Sequence, residues 1–333
     1  MAKVVVLSRA GRASLPEAVL GALEVRHTVR FAQRHTAPER HEAAALLRDA
    51  EVLASTNVTL PVLDDGLLDQ LPSLRHIVLY ATGYEHLDLA GLAERGITIS
   101  TLPEYATNAV AEHALALLFA SATRLHLAHD KAAGRAPFEV SLRGVEITSR
   151  TLAIIGLGRI GRRLARLASG LGMRVVGVDI DPAALAAAQA DGIPTLGQAE
   201  ALREADLVAL TASTIEGHYP ILDAGQLALL DKDAFVVNVG RPVLADADAL
   251  RGALLAGQLR GYAVDEIVLD PQDPIDALLI AEGRVLQSAH SAWWRDEVLA
   301  RGAQMFGLAI QAAADGTPIH VVPAPPRLAR AAG

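Results

Sequence analysis

Short β-branched runs alternate with Ala/Leu-rich stretches of helical spacing along most of the chain. The runs are Lys3–Leu7, Val52–Ala54, His76–Tyr80, Thr98–Ser100, Leu152–Ile155, Arg174–Val178, Leu207–Leu210, Ala234–Asn238, Gly261–Val264 and Arg284–Gln287. They are apolar with little alternation, the pattern of strands buried on both faces of a parallel sheet. Between them Ile160–Leu171, Ala183–Asp191 and Ala247–Ala256 carry apolar residues at helical spacing. Such alternation predicts an α/β protein with helices on both faces of its sheets. The segment Asn108–Arg124 stands apart. After Glu112 and His113 it reads Ala-Leu-Ala-Leu-Leu-Phe-Ala, apolar on every side, so it is expected to be buried all round, joining two lobes and meeting a second subunit. The tail from Thr317 to Gly333, rich in proline and small residues, is expected to wrap the surface or fray.

Composition narrows the classes. The 333 residues suit two lobes of ordinary size. Hydrophobic residues at 51% and charged residues at 20% exclude a disordered or fibrous chain. No uncharged apolar run approaches the ~20 residues of a membrane helix, and Met1 to Arg12 does not read as a signal peptide, so a cytoplasmic protein is expected. The absence of cysteine excludes disulfides, thiolate metal sites and cysteine nucleophiles. A net charge of −8 argues against binding nucleic acid by neutralising phosphates. No metal is expected either: His126 and His129 lie three apart without an H-E-x-x-H pattern or a third ligand nearby.

The first motif with chemistry in it is Gly156-Leu157-Gly158-Arg159-Ile160-Gly161, a G-x-G-x-x-G run between a predicted strand and a predicted helix. A second strand follows and ends at Asp179. In a dinucleotide site Gly156 permits the tight turn, Gly158 lets a pyrophosphate approach the backbone, and Gly161 lets helix and strand pack closely. The helix start offers free N–H groups to the phosphates. Asp179 suits a ribose diol, and with Asp181 it would repel a 2′-phosphate, so NAD is the expected cofactor. About 150 residues precede the motif, room for another lobe that holds substrate.

Reduction of a carbonyl needs a cation to orient the substrate and a proton donor near neutral pH, a role that suits histidine. Strand ends supply candidates: Arg241 after Ala234–Asn238, then Asp265, Glu266 and Asp270 after Gly261–Val264, and His290 after Arg284–Gln287. Several further segments agree in order with one family. Ala81-Thr82-Gly83-Tyr84-Glu85-His86-Leu87-Asp88 is similar to a G-x-G-x-x-x-x-D substrate loop, and Val110-Ala111-Glu112-His113 to a V-A-E-H helix start. Asn238-Val239-Gly240-Arg241 with Asp246 and Ala249-Leu250 is similar to N-x-x-R-G-x-x-V-D-x-x-A-L. Gly261 to Asp265 with Asp270-Pro271 is similar to G-A-A-L-D-V-F-x-x-E-P, and His290-Ser291-Ala292-Trp293 has the H-x-A-W form of the C-terminal-binding-protein branch. On these motifs the chain resembles the D-isomer-specific 2-hydroxyacid dehydrogenases over nearly its whole length.

The resemblance implies an NAD-dependent enzyme that interconverts a D-2-hydroxy acid and its 2-oxo acid. Arg241 would bind the substrate's carboxylate and carbonyl, and His290 would be the acid/base, with Asp270 as its carboxylate partner. Gly156, Gly158, Arg159, Ile160, Gly161, Asp179, Thr211, Gly240, Arg241, Asp265 and His290 would contact NAD, Asp265 at the nicotinamide carboxamide. Thr82 and Gly83 would receive the substrate carboxylate and Trp293 would face the substrate. Two Rossmann-like or flavodoxin-like lobes are implied, a discontinuous substrate domain of 1–102 and 294–333 and an inserted NAD-binding domain of 103–293. A cleft at their junction and a homodimer through the NAD-binding domain go with that architecture. The chain departs from the pattern at Asp270, where the family has glutamate, at Ser288-Ala289 for T-P, at Arg241-Pro242 for R-G, and at Thr211-Ala212-Ser213 for histidine–x–proline. Two other readings stand beside the dehydrogenase: an NAD(H)-sensing, corepressor-like interaction protein, and a phosphite- or formate-type oxidoreductase on the same fold. Glu266 is the next carboxylate to test if Asp270 is not the histidine's partner.

Overall fold

The computed structural model describes residues 1–136, 139–214 and 218–323. The chain divides into two compact units, one made of Met1–Ala106 and the segment from Asp296, the other of Thr107–Arg295. The expectation for the tail falls outside the described residues from 324 on.

The first unit is built on β1 (Lys3–Ser8), β2 (Thr28–Gln33), β3 (Val52–Ser55), β4 (His76–Leu79) and β5 (Thr98–Ser100), all parallel in the order β2-β1-β3-β4-β5. That is the flavodoxin-like order 2-1-3-4-5. The strand β2 escapes a hydrophobic reading because it is an edge strand: Thr28 and Gln33 are exposed and none of its residues is fully buried. Val321 bridges antiparallel to Ser100, and Val322 donates to the Ile99 carbonyl at 2.8 Å, so the start of the tail lies along β5.

The second unit carries β6 (Thr151–Ile155), β7 (Arg174–Val178), β8 (Leu207–Leu210), β9 (Phe235–Asn238), β10 (Gly261–Val264) and β11 (Val285–Gln287), ordered β11-β10-β9-β8-β6-β7. Thr195 bridges in parallel to Gly177 on the outer side of β7. Counting that bridge as a strand, the order contains the 3-2-1-4-5-6 of a dinucleotide-binding sheet, with β11 added as a seventh strand beyond β10. Successive residues of each strand face opposite cores. Leu152, Ile154, Leu207, Ala209 and Val237 pack in one cluster, and Ala153, Ile155, Val208, Leu210 and Val236 in the other. Both faces being covered explains why the strands read as unbroken apolar runs.

The helix α1 (Thr107–Thr123) is the segment that reads as apolar on every side. Ala111, Ala114, Leu117, Leu118 and Ala122 are buried in the first of those clusters, but Glu112, Ala116, Phe119 and Thr123 are exposed. The chain itself covers one face only, and burial of the other would need the second subunit expected to meet it.

Candidate active site

The strand order reverses at β6, which has β7 on one side and β8 on the other, and the glycine-rich loop leaves its C-terminal end there. Three glycines do three different things. Gly156 has φ +101°, and a Cβ there would lie 2.4 Å from the Ala212 nitrogen. At Gly161 a Cβ would meet the Gly156 carbonyl at 1.9 Å, so loop and helix can close only without a side chain. A Cβ on Gly158 would meet nothing within 4 Å. Internal packing therefore gives no reason for glycine at 158, whereas a phosphate lying against the backbone does. Gly158 also heads α2 (Arg159–Gly170), and no side chain caps that helix, which leaves its first N–H groups for an anion. The residues fit a dinucleotide.

Asp179 closes the loop from the end of β7. Its Oδ2 accepts from the Leu157 N–H at 2.6 Å and its Oδ1 from the Asp181 N–H at 2.9 Å. Thr211, after β8, donates its hydroxyl to the Gly156 carbonyl at 2.7 Å. Asp181 accepts from the Ala183 N–H at 2.9 Å and so caps the following helix. Arg159 is exposed and Ile160 half-buried at the start of α2.

The neighbouring ends of β9, β10 and β11 carry the other candidates. Asn238, 1% exposed, ends β9 and fixes the turn after it. Its Nδ2 donates to the Arg241 carbonyl at 2.9 Å and to the Tyr262 hydroxyl at 3.0 Å, and its Oδ1 accepts from the Gly240 N–H at 3.0 Å. Burial pushes the Tyr262 phenol up to about 12, so it stays a neutral partner. Gly240 has no room for a side chain, since a Cβ would lie 2.6 Å from Leu244 Cδ1 and 2.8 Å from the Ala212 carbonyl. This turn presents a half-buried Arg241 whose guanidinium donates to the Gly240 carbonyl at 3.1 Å.

The carboxylate beside His290 is not Asp270. His290 Nδ1 lies 2.5 Å from Glu266 Oε1. Asp270 is an exposed turn residue: its Oδ1 accepts from the Gln272 N–H at 2.9 Å, and its own N–H donates to Asp276. Gln287 of β11 holds that loop by accepting from the N–H groups of Val268 and Leu269 and donating to the Leu269 carbonyl. The loop's path brings Glu266, directly past the strand, to the imidazole and carries Asp270 into the turn before the helix Pro274–Ala281.

Asp265, expected at the nicotinamide, already makes several bonds within the chain. It is 8% exposed and accepts from the Ser288 hydroxyl and from the Ser291 and Ala292 N–H groups at 2.8–3.1 Å. Ala289 and His290 between them have φ +53° and +55°. The left-handed conformation costs a non-glycine residue about 1–2 kcal/mol, so this turn has to be held. Trp293 is half-buried and meets the exposed Trp294 edge-on, ring centroids 4.9 Å apart. In the first unit Thr82 follows β4, exposed, and its hydroxyl donates to the Leu102 carbonyl at 2.9 Å; Gly83 is half-buried.

The structure thus gathers Gly156, Gly158, Gly161, Asp179 and Thr211 in one loop cluster, and Arg241, Asp265 and His290 at the ends of adjacent strands. Sequence reasoning gave His113 no role, although its motif was visible. Among the described residues no group of three or more acidic or histidine side chains could hold a metal, and no helix is long and apolar enough to cross a membrane.

Comparison with known proteins agrees with this geometry. Residues 115–292 match the NAD-binding domain of the D-isomer specific 2-hydroxyacid dehydrogenases. The chain is 30% identical over 301 residues to a glyoxylate reductase of Korarchaeum cryptofilum, covering 87% of this chain and 88% of that protein. It is 28% identical over 293 residues to a glycerate dehydrogenase of Methylorubrum extorquens, covering 85% and 88%. Among solved structures, a protein of Thermus thermophilus superposes with a TM-score of 0.80 at 28% identity, over 96% of this chain and 100% of that one.

Proposed function

Since the chain belongs to the D-isomer specific 2-hydroxyacid dehydrogenase family, we propose that it reduces a small 2-oxo acid of the glyoxylate or hydroxypyruvate kind with NADH, and oxidises the matching D-2-hydroxy acid in reverse. The observation that carries this reading is the pair of His290 with Glu266 at 2.5 Å, past the ends of β11 and β10, with β10 next to the strand that leads to Arg241. Bound NADH supplies the hydride. The amides after Gly156 would hold its pyrophosphate, and Asp179 would accept from its ribose hydroxyls. Arg241 takes the substrate's carboxylate and carbonyl in a planar two-pronged contact and polarises the carbon to be attacked. His290, held through Nδ1 by Glu266, keeps Nε2 for the substrate: it gives a proton to the carbonyl oxygen in reduction and takes one from the hydroxyl in oxidation. Thr82 and Gly83 are assigned to the substrate carboxylate, and Trp293 to its side chain, on the resemblance of their motifs.

The exposed face of α1 supports a homodimer through this unit, with Phe119 38% exposed and Ala116 beside it one turn away. The cytoplasm is the proposed location, with fractionation of cells expressing the tagged chain as its check. The function is tested by NADH oxidation with glyoxylate, hydroxypyruvate and pyruvate, in the wild type and in His290→Ala. Turnover with one or more of them, nearly abolished in the variant while NADH still binds, is the expected result. Tight NADH binding without turnover of any 2-oxo acid would favour the nucleotide-sensing reading instead.

A further inference from the structure

We infer that Asp265, backed by Ser288 and His113, is a clamp that holds the left-handed dipeptide Ala289–His290, so that these three are positioning residues for the acid/base histidine; this rests on His290 having that role. Ala289 and His290 are the only consecutive non-glycine residues with positive φ among the described residues. The clamp grips both sides of them. Before the pair, the Ser288 hydroxyl donates to Asp265 Oδ1 at 2.8 Å, and the Ser288 N–H donates to the Val264 carbonyl at 3.0 Å. After the pair, the Ser291 N–H donates to Oδ1 at 2.8 Å and the Ala292 N–H to Oδ2 at 3.1 Å. A single carboxylate thus spans the turn and ties it to the end of β10.

Behind Ser288 the hydrogen bonds run in one direction. Arg295 Nη2 lies 3.1 Å from His113 Nδ1. A guanidinium can only donate, so Nδ1 accepts and the proton of a neutral imidazole sits on Nε2. That nitrogen lies 2.8 Å from Ser288 Oγ and donates to it, which turns the serine's own proton toward Asp265. Burial holds the His113 imidazole below the usual histidine range; the Asp265 charge opposes this and the Arg295 charge adds to it. The chain Arg295 to His113 to Ser288 to Asp265 therefore has a cation at one end and an anion at the other. It anchors α1 to the turn that carries His290, and gives the His113 of the Val-Ala-Glu-His motif a task.

Without the clamp, Ala289 and His290 relax to negative φ and the imidazole leaves Glu266. The test uses full-length Asp265→Asn and the milder Ser288→Ala, each with and without Ala289→Gly. Glycine enters the left-handed region without a steric cost, so it replaces part of what the clamp does. The expected result for Asp265→Asn is a kcat lower by roughly 10²-fold, with NADH affinity changed by less than about threefold. Amide exchange at Ser291 and Ala292 should rise in both single variants, and Ala289→Gly should recover roughly fivefold of the lost kcat. Parallel loss of NADH affinity and kcat, with no recovery by Ala289→Gly, would show that Asp265 serves the nicotinamide and would overturn the clamp. Unchanged exchange at Ser291 and Ala292 would overturn it too. A His290→Ala variant that still reduces 2-oxo acids would refute the acid/base role, while the exchange measurement reports on the clamp independently of catalysis.

Discussion

His290 Nδ1 has one carboxylate oxygen 2.5 Å away, and it belongs to Glu266. Glu266→Gln keeps the shape and removes the carboxylate acceptor that orients the ring. It is expected to lower kcat in both directions by roughly 10²-fold. Asp270→Asn, in an exposed turn, should stay within about twofold, as surface substitutions do. Steady-state rates for the two variants separate the candidates, and the reverse ranking would restore Asp270. Arg241→Lys keeps the charge but loses the planar fork, so kcat/KM for the 2-oxo acid should fall by roughly 10²-fold with NADH affinity little changed. With Asp179 at the ribose, as proposed, a 2′-phosphate would add negative charge to negative charge. NADH should be preferred to NADPH by roughly 10²-fold, and Asp179→Ala should narrow that gap chiefly by weakening NADH, since the Leu157 N–H also loses its acceptor. Dissociation constants for both nucleotides check it.

Among the elements, β4 and β5 are joined by more than their ladder. His76 is 4% exposed, with Nδ1 2.6 Å from Thr98 Oγ1 and Nε2 2.9 Å from Ser100 Oγ. Ser100 in turn donates to the Ile319 carbonyl, so the neutral ring donates through Nε2 and accepts from Thr98. A second proton on Nδ1 would meet a hydroxyl already aimed at it. Burial lowers the His76 pKa from 6.5 to about 4. Between those values the unfolded chain binds more protons than the folded one, so stability rises with pH across the window. It is complete above about pH 6.5 and is lost as pH falls toward 4, with about 2 kcal/mol gone between pH 7 and 5. Urea midpoints at the two pH values measure the loss. In His76→Asn, which cannot titrate, this part of the pH dependence should vanish; an equally steep dependence would assign it elsewhere.

For the whole molecule, the proposed subunit contact is carried by Ala116 and Phe119 on the exposed face of α1. Phe119→Glu should shift the sedimentation of a dimer toward the monomer, with little change in the thermal stability of the subunit. Monomeric wild-type protein at micromolar concentration would place the subunit contact elsewhere or remove it.

What the sequence determined by itself was local or carried by spacing. Unbroken apolar runs marked the buried strands because both faces of each sheet are covered, and Gly156-x-Gly158-x-x-Gly161 marked its loop because chain geometry leaves no room for side chains at two of its positions. The edge strand β2 lay outside that reading, since an edge needs no continuous apolar run. Tertiary structure alone decided which carboxylate reaches His290: Glu266 and Asp270 share one loop, and its path is set by Gln287 on another strand. It alone decided the role of His113, which lies 175 positions from Ser288 in sequence and 2.8 Å from its hydroxyl in space. Residue type announces that a side chain can hold a proton, but which partner it meets depends on bonds made far along the chain, and those exist only once the sheet has formed.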